Sequence, residues 1–343
     1  MAGSFLHKKF ISVHLRIYKD NEHGIDAKAI DPDALDTIFQ LKDAGFQAYL
    51  VGGGVRDLIL GKKPKDFDIS TSAEPEEIKR LFQKKCLLIG RRFRLAHIRY
   101  GKKILEVSTF RAGDVESGSL IVRDNSWGSA EEDVMRRDFS CNALFYDPSN
   151  CTVLDYVGGV EDIHHKILRT IGEPVLRFRQ DPVRMIRLLK FQARFGFHVE
   201  PKTQHAMKSC REEILKSSPE RLLEEMFKML ESGAAKPFFE LMNETGFLDV
   251  LFPCFHHFFQ GHHRRLAEKY LHALDHLNLH RREPLDRPVQ LAALVFPILE
   301  QELITLTEDR QSPICVSDII HLSETLLQGI DTSSFAHFPK RLL

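Results

Sequence analysis

Net charge is the first thing this sequence lacks: 48 lysines and arginines balance 48 aspartates and glutamates across 343 residues. Bulk attraction to a polyanion is thereby excluded, so any grip on nucleic acid has to come from local basic clusters. Cysteines are few and scattered. Cys86, Cys141, Cys151, Cys210, Cys254 and Cys315 contain no C-x-x-C pair, which excludes a disulfide framework or a cysteine zinc site and fits reduced thiols in a cytoplasmic protein. The pairs His256-His257 and His262-His263 have neither a second thiol nor an acidic partner at ligand spacing, and no metal is expected there. No unbroken apolar run of about 18 residues occurs, and the opening residues hold no apolar core of signal-peptide length; the expectation is a chain neither secreted nor membrane-spanning. What remains, 43% hydrophobic and 28% charged, describes a globular protein of two or three domains.

The chemistry is concentrated in one stretch. Gly52-Gly53-Gly54-Val55-Arg56-Asp57 is followed, after a basic turn, by Asp66-Phe67-Asp68. A glycine turn lets backbone N–H groups approach phosphate, and a strand puts residues two apart on one face, about 6 to 7 Å from each other. Asp66 and Asp68 are therefore candidate ligands for a pair of divalent cations, the arrangement of nucleotidyl transfer. Either half alone reads as a tight turn or a solvated loop.

Periodicity predicts a strand over 47–51 feeding the turn, a short helix over 55–60, the carboxylate strand over 67–71 and a helix from Pro75. Two further strands with a glycine turn between them fill 88–110. Glu106 stands mid-strand among apolar and β-branched neighbours, so it is either solvated or a third active-site carboxylate. Ser129-x-x-Glu132 has capping-box form and opens a helix carrying Asp133, Arg136, Arg137 and Asp138. Its bland reading is an ion-paired exposed face. From Val160 onward the pattern is helical. Asp181, Arg184 and Arg187 share one face of a helix predicted over 181–195, and Pro219 opens another. The fold class is α+β: an N-terminal extension (1–30), a head with a small mixed β-sheet and helices (31–170), a helical neck (171–235) and an all-α body (236–343).

The run from Tyr49 to Ala73, with Asp133-x-x-Arg136-Arg137-Asp138 and Gln180-Asp181-Pro182-Val183-Arg184, resembles the signature of bacterial poly(A) polymerases and tRNA CCA-adding nucleotidyltransferases, the class II branch of the polymerase-beta-like superfamily. The resemblance implies that Asp66 and Asp68 bind Mg²⁺ or Mn²⁺, that Gly52, Gly53 and Arg56 cradle phosphates, and that Asp133, Arg136 and Arg137 hold ribose and triphosphate. Asp138 is implied as part of the active centre, leaving Glu106 and Asp138 as alternatives for the third carboxylate. Asp181 and Arg184 are implied to read the base. A carboxylate oxygen and an arginine N–H complement the edge shared by adenine and cytosine, so this pair does not separate A-adding from CCA-adding enzymes. Gln180 stands where the family usually has Glu, and a neutral amide would hold Arg184 less firmly.

Arg91, Arg92 and Arg94 are candidate phosphate contacts; they and the run from Arg177 to Arg184 look more like the poly(A) polymerase branch. The implied activity is template-independent transfer of AMP from ATP to RNA 3′ ends with release of pyrophosphate. A CCA-adding enzyme is the close alternative, and a non-catalytic RNA-binding protein on the same fold is the alternative of another class. Fuller members continue past a run like Pro339-Lys340-Arg341-Leu342, and without that region RNA binding is expected to be weak and salt-sensitive.

Overall fold

The computed structural model describes residues 14–90, 94–112, 126–261, 263–281, 283, 285–310 and 313–331. The chain forms two compact units that part between Gly172 and Glu173.

The first unit is built on a mixed sheet. Its strands are β1 (Arg16–Tyr18), β2 (Ala48–Val51), β3 (Asp68–Thr71), β4 (Cys86–Ile89), β5 (Leu95–Tyr100), β6 (Lys103–Thr109), β7 (Phe145–Asp147) and β8 (Thr152–Asp155), in the order β1-β8-β7-β2-β3-β6-β5-β4. Only β3 and β6 run parallel. The helices are α1 (Asp20–His23), α2 (Pro32–Asp43), α3 (Gly53–Ile59), α4 (Pro75–Phe82), α5 (Ala130–Arg136) and α6 (Gly159–His164).

Two details differ from the sequence reading. Residues 14–30 are no mere extension, because β1 pairs with β8 and closes one edge of the sheet; three residues are too few to show a period. The region expected to hold two strands holds three. Gly90 and Arg94 both take positive φ, 81° and 43°, and this break separates β4 from β5, while Gly101 (φ 61°) turns β5 into β6 as expected.

Alternation gives each strand of the central sheet two faces. Ile69, Val107, Ala96 and Ile98 are fully buried on one face. Among the described residues, the cover of the opposite face lies on its β7–β2 side and reaches Ser70 of β3. There Val51 and Phe145 pack with Phe110, Ala130, Val134, Ala143 and Ile171, and Tyr49 stacks between Phe110 and Phe145 at centroid distances of 6.1 and 5.7 Å. Helix α5 is thereby pressed onto the sheet. The Ser129 and Glu132 capping box starts it as predicted, with Oγ accepting from Glu132 N at 3.2 Å and the carboxylate accepting from Ser129 N at 2.7 Å.

The second unit is helical: α7 (Pro174–Gln180), α8 (Val183–Phe195), α9 (Pro201–Ser209), α10 (Pro219–Leu230), α11 (Ala235–Glu244), α12 (Phe247–Leu251), α13 (Pro253–Gln260), α14 (Arg264–His280), α15 (Arg287–Arg310) and α16 (Val316–Asp331). The neck and body that the sequence divides at residue 235 form one unit. The junction is tied by Asp275 of α14, whose buried carboxylate accepts from Ala235 N at 2.6 Å and Lys236 N at 2.9 Å at the start of α11, a favourable place for an anion. Burial pushes the Asp275 pKa up against the pull of those two bonds. Helix α15 holds a window of 18 residues with mean hydropathy 1.5, apolar enough to cross a membrane by length and composition alone. Gln290 and Glu300 hide it from a search for an unbroken run. A third of that window is buried, Arg287 pairs with Glu224 at 2.8 Å, and Glu300 accepts from Tyr270 Oη at 3.0 Å.

Candidate active site

Strand β2 delivers the chain into the glycine turn. Gly52 sits at φ 71°, ψ −136°, a conformation that a side chain would strain. Helix α3 begins at the next residue. Gly54 is needed for a different reason: a Cβ there would stand 3.2 Å from the Asp66 carbonyl oxygen, so its absence lets α3 lie against the segment that leads into β3.

Asp68 opens β3, opposite Val51 in the β2–β3 register. The carboxylate strand therefore starts beside the glycine turn. Asp66 precedes the strand rather than sharing it, so alternation fixes the side of Asp68 and Ser70 alone. Both aspartates are exposed.

The register also bears on the third carboxylate. Parallel β3 and β6 align Ile69 with Val107 and Ser70 with Ser108, and the two serine hydroxyls meet at 2.8 Å. One residue back, the same alignment sets Glu106 beside Asp68 on the same face. Its side chain is half exposed, 3.4 Å from Nε2 of His97, its antiparallel partner on β5. Asp138 is differently occupied. It is buried, and its Oδ1 accepts from Phe139 N at 2.8 Å and Asn142 Nδ2 at 3.4 Å, holding the turn after α5.

Arg137, just past the end of α5, reaches the same face. Its guanidinium donates to Asp133 Oδ2 at 3.1 and 2.8 Å and to Ser70 Oγ at 3.2 Å. It also lies 5.1 Å from the Phe145 ring centroid, and its Nη1 is 3.5 Å from where a Cβ on Gly52 would stand. Asp133 is buried and additionally accepts from Arg111 N at 3.3 Å. Arg111 itself was not singled out in the sequence. Burial pulls its pKa below the ordinary value, Asp133 opposes that shift and Arg137 adds to it, so two guanidiniums share one carboxylate at the end of β6. Arg136 is half-buried on the last turn of α5.

Arg56 takes another part. It is 3% exposed; Nε and Nη2 donate to Asp57 Oδ1 at 3.0 and 2.7 Å, and Nη1 donates to Asn142 Oδ1. It ties α3 to the turn that Asp138 organises. Of the three arginines proposed for phosphate, Arg91 and Arg92 lie outside the described residues, and Arg94 is exposed and paired with Glu76. The donor set suits Mg²⁺. Among the described residues no three or more His, Cys, Asp or Glu stand together so as to hold a metal ion by themselves, whereas Mg²⁺ keeps several waters and uses one or two carboxylates plus substrate phosphates.

Asp181 and Arg184, the pair expected to read the base, belong to the second unit. The helix predicted over 181–195 is interrupted: α7 ends at Gln180, Asp181 caps it with φ −148°, and α8 starts after Pro182, because proline removes a donor and clashes within a helix. Asp181 Oδ2 accepts from Arg221 Nη2 of α10 at 2.9 Å and lies 4.0 Å from Arg184 Nε. Its Oδ1 is buried and has no hydrogen-bond partner among the described residues. Gln180 is buried and accepts from Arg177 Nη1 at 3.0 Å. One turn further along, Glu225 of α10 takes Arg187 at 3.2 Å, Lys228 at 3.5 Å and Lys190. Burial works to raise the Glu225 pKa, but Arg187, Lys190 and Lys228 overturn that and bring it to about 2. Arg221 thus ties α10 to the break between α7 and α8, and Glu225, four residues on, ties it to α8.

A mixed sheet with a glycine turn and an acidic strand, followed by a helical unit, defines a head of the nucleotidyltransferase fold class. Residues 48–169 match the family model for the poly A polymerase head domain, and 196–259 match the model described as the probable RNA and SrmB-binding site of polymerase A. The chain is 42% identical over 257 residues to poly(A) polymerase I of Salmonella typhimurium, covering 72% of this chain and 55% of that protein. It is 32% identical over 294 residues to the CCA-adding enzyme of Staphylococcus epidermidis, covering 84% of this chain and 68% of that protein. Among solved structures, the Bacillus stearothermophilus CCA-adding enzyme in complex with CTP superposes with a TM-score of 0.59 at 28% identity, over 90% of this chain and 80% of that one. The chain belongs to the family that holds the bacterial poly(A) polymerases and the CCA-adding enzymes. It spans about half the length of the poly(A) polymerase I relatives it matches.

Proposed function

We propose that this chain transfers AMP from ATP to RNA 3′ ends without a template, in the cytoplasm, releasing pyrophosphate. The observation that carries the reading is the alignment of Asp68 and Glu106 on one sheet face, with Gly52 and Arg137 immediately beside them. Asp66 and Asp68, with Glu106 as the third carboxylate, would hold Mg²⁺, or Mn²⁺ in its place. When bound, the metal supplies charge for the attacking oxygen and the leaving phosphates. The 3′ hydroxyl oxygen attacks the α-phosphorus of ATP and gives up its proton to water, the bond from that phosphorus to the oxygen bridging to the β-phosphate breaks, and the charge that moves onto pyrophosphate faces Arg137 and the N–H groups of the glycine turn. Catalysis of this kind is chiefly positioning and charge neutralisation. Asp138 and Arg56 fix the turn that sets Arg137 in place.

Asp181 supports the choice of base. Its buried Oδ1 is an acceptor awaiting a donor, which the amino group of adenine provides, with Arg184 beside it for the ring nitrogen. Cytosine offers the same order, and the CCA-adding relatives keep addition of CCA to tRNA as the second reading. The decisive experiment extends a generic RNA primer with each nucleotide separately, then tRNA lacking its terminal nucleotides with ATP alone or ATP plus CTP. Incorporation of ATP alone into both supports the poly(A) reading; ordered use of CTP before ATP on tRNA alone overturns it.

A further inference from the structure

The face that bears the carboxylates continues past them. Extending the registers across the sheet, Asp68, Glu106, His97 and Leu87 form one row over β3, β6, β5 and β4. Ser70, Ser108, Leu95 and Ile89 form the next row, and Ile104 with Arg99 flanks the first row on its other side. Strands lie about 4.8 Å apart, so this surface reaches roughly 14 Å from Asp68, the span of about two nucleotides. Leu87, Ile89 and Ile104 are 45%, 40% and 48% exposed, and Arg99 is exposed. On the other flank of Asp68 the same face is covered by α5 and the aromatic stack.

These two flanks are chemically unlike, and the reaction needs two unlike partners. In an in-line displacement the attacking and leaving oxygens stand on opposite sides of the phosphorus. Gly52 and Arg137, the anion-binding groups, lie on the β2 side of Asp68. A triphosphate held there puts the attacking hydroxyl on the β6 side. That side offers apolar side chains on which a nucleobase can stack, an imidazole, and one guanidinium for a phosphate.

Resting on the proposed nucleotidyl transfer, we infer that the open face of β4, β5 and β6 is the seat of the terminal nucleotides of the RNA primer, with Leu87, Ile89 and Ile104 under the bases and Arg99 at a backbone phosphate. The occupant is single-stranded RNA with a free 3′ hydroxyl. Acidic substitution of exposed residues leaves the buried face untouched, so the double variant Leu87→Glu with Ile89→Glu should fold, as circular dichroism and the melting temperature will show.

Its KM for a short RNA primer should rise at least tenfold, with KM for ATP changed less than twofold, and Arg99→Glu should do the same. An RNA ending in 4-thiouridine, irradiated on the wild-type chain, should crosslink to peptides within residues 86–104. Unchanged primer KM in both variants with crosslinks elsewhere would overturn the assignment while leaving the transfer reading intact. A rise in the KM for ATP instead would give the face to the nucleotide and overturn it equally. If the wild-type chain incorporates no nucleotide, the transfer reading fails, and the crosslink position alone decides where RNA sits.

Discussion

Three carboxylates near the site should respond differently to removal, because each does different work. Asp68 is exposed at the start of β3 with the glycine turn beside it. Asp68→Ala should lower AMP incorporation at least a thousandfold, with the melting temperature nearly unchanged, since it removes charge positioning and no packing. Glu106→Ala should cost about a hundredfold and raise the Mg²⁺ concentration needed for half-maximal rate. Asp138→Ala should instead lower stability by about 1–3 kcal/mol, because it strips acceptors from the buried Phe139 N–H and the Asn142 amide. Unfolding curves read beside the rates separate the cases, and an Asp138 variant of native stability with no activity would return it to the list of metal ligands. The sequence left these two acids as alternatives for a physical reason. Strand period tells which side of its own strand Glu106 occupies, but only the parallel register with β3 tells which residue it adjoins. Arg56 was expected at a phosphate, and its place as a buried tie between Asp57 and Asn142 was not legible, because Asn142 is distant in sequence.

At the scale of elements, most starts and stops were written in the chain. Pro75, Ser129 with Glu132, and Pro219 all open helices where expected. The misread boundary at Asp181 came from trusting an apolar stripe over the proline beside it. That boundary matters, since it frees Asp181 from the helix and places it against Arg221. Arg221→Ala should loosen Asp181 and narrow the preference for ATP over CTP several-fold, measured as the ratio of kcat/KM values, while Arg221→Lys should retain part of it.

The companion contact at Glu225 sets an acid sensitivity. Its folded-state pKa of about 2 lies below its ordinary 4.5, so the stability it contributes is present above about pH 4.5 and is lost as pH falls toward 2. That difference amounts to roughly 3 kcal/mol. Glu225→Gln should lose about this much at neutral pH and show a flatter pH dependence of urea unfolding between 4.5 and 2. Equal slopes in the two proteins over that window would show that the ion cluster does not hold α10 to α8. Lys190 acts in the opposite range: burial, with Arg187 adding, pulls it down to about 8 from 10.5. Its charge is a cost relieved as pH rises from 8 toward 10.5.

For the whole molecule the governing fact is a charge balance of zero, which leaves the proposed RNA binding to whichever cations are locally in excess. The second unit has such an excess. Arg187, Lys190 and Lys228 surround the single carboxylate of Glu225, and the side chains of Arg187 and Lys228 are 32% and 49% exposed. Arg194 extends the same surface, 5.1 Å over the ring of Phe195, where aromatic faces can take bases. If Arg187, Arg194 and Lys228 each meet one phosphate, the slope of log Kobs against log salt for single-stranded RNA should be about −2, a loss of roughly twentyfold between 50 and 200 mM salt. Lys228→Glu and Arg194→Glu should each weaken binding at low salt and reduce the slope by about 0.7. Filter binding over a salt series reads both quantities at once. A slope steeper than about −5 would mean that many more phosphates are held than this surface can neutralise. A slope near zero would mean that stacking on aromatic side chains, rather than charge, carries the affinity.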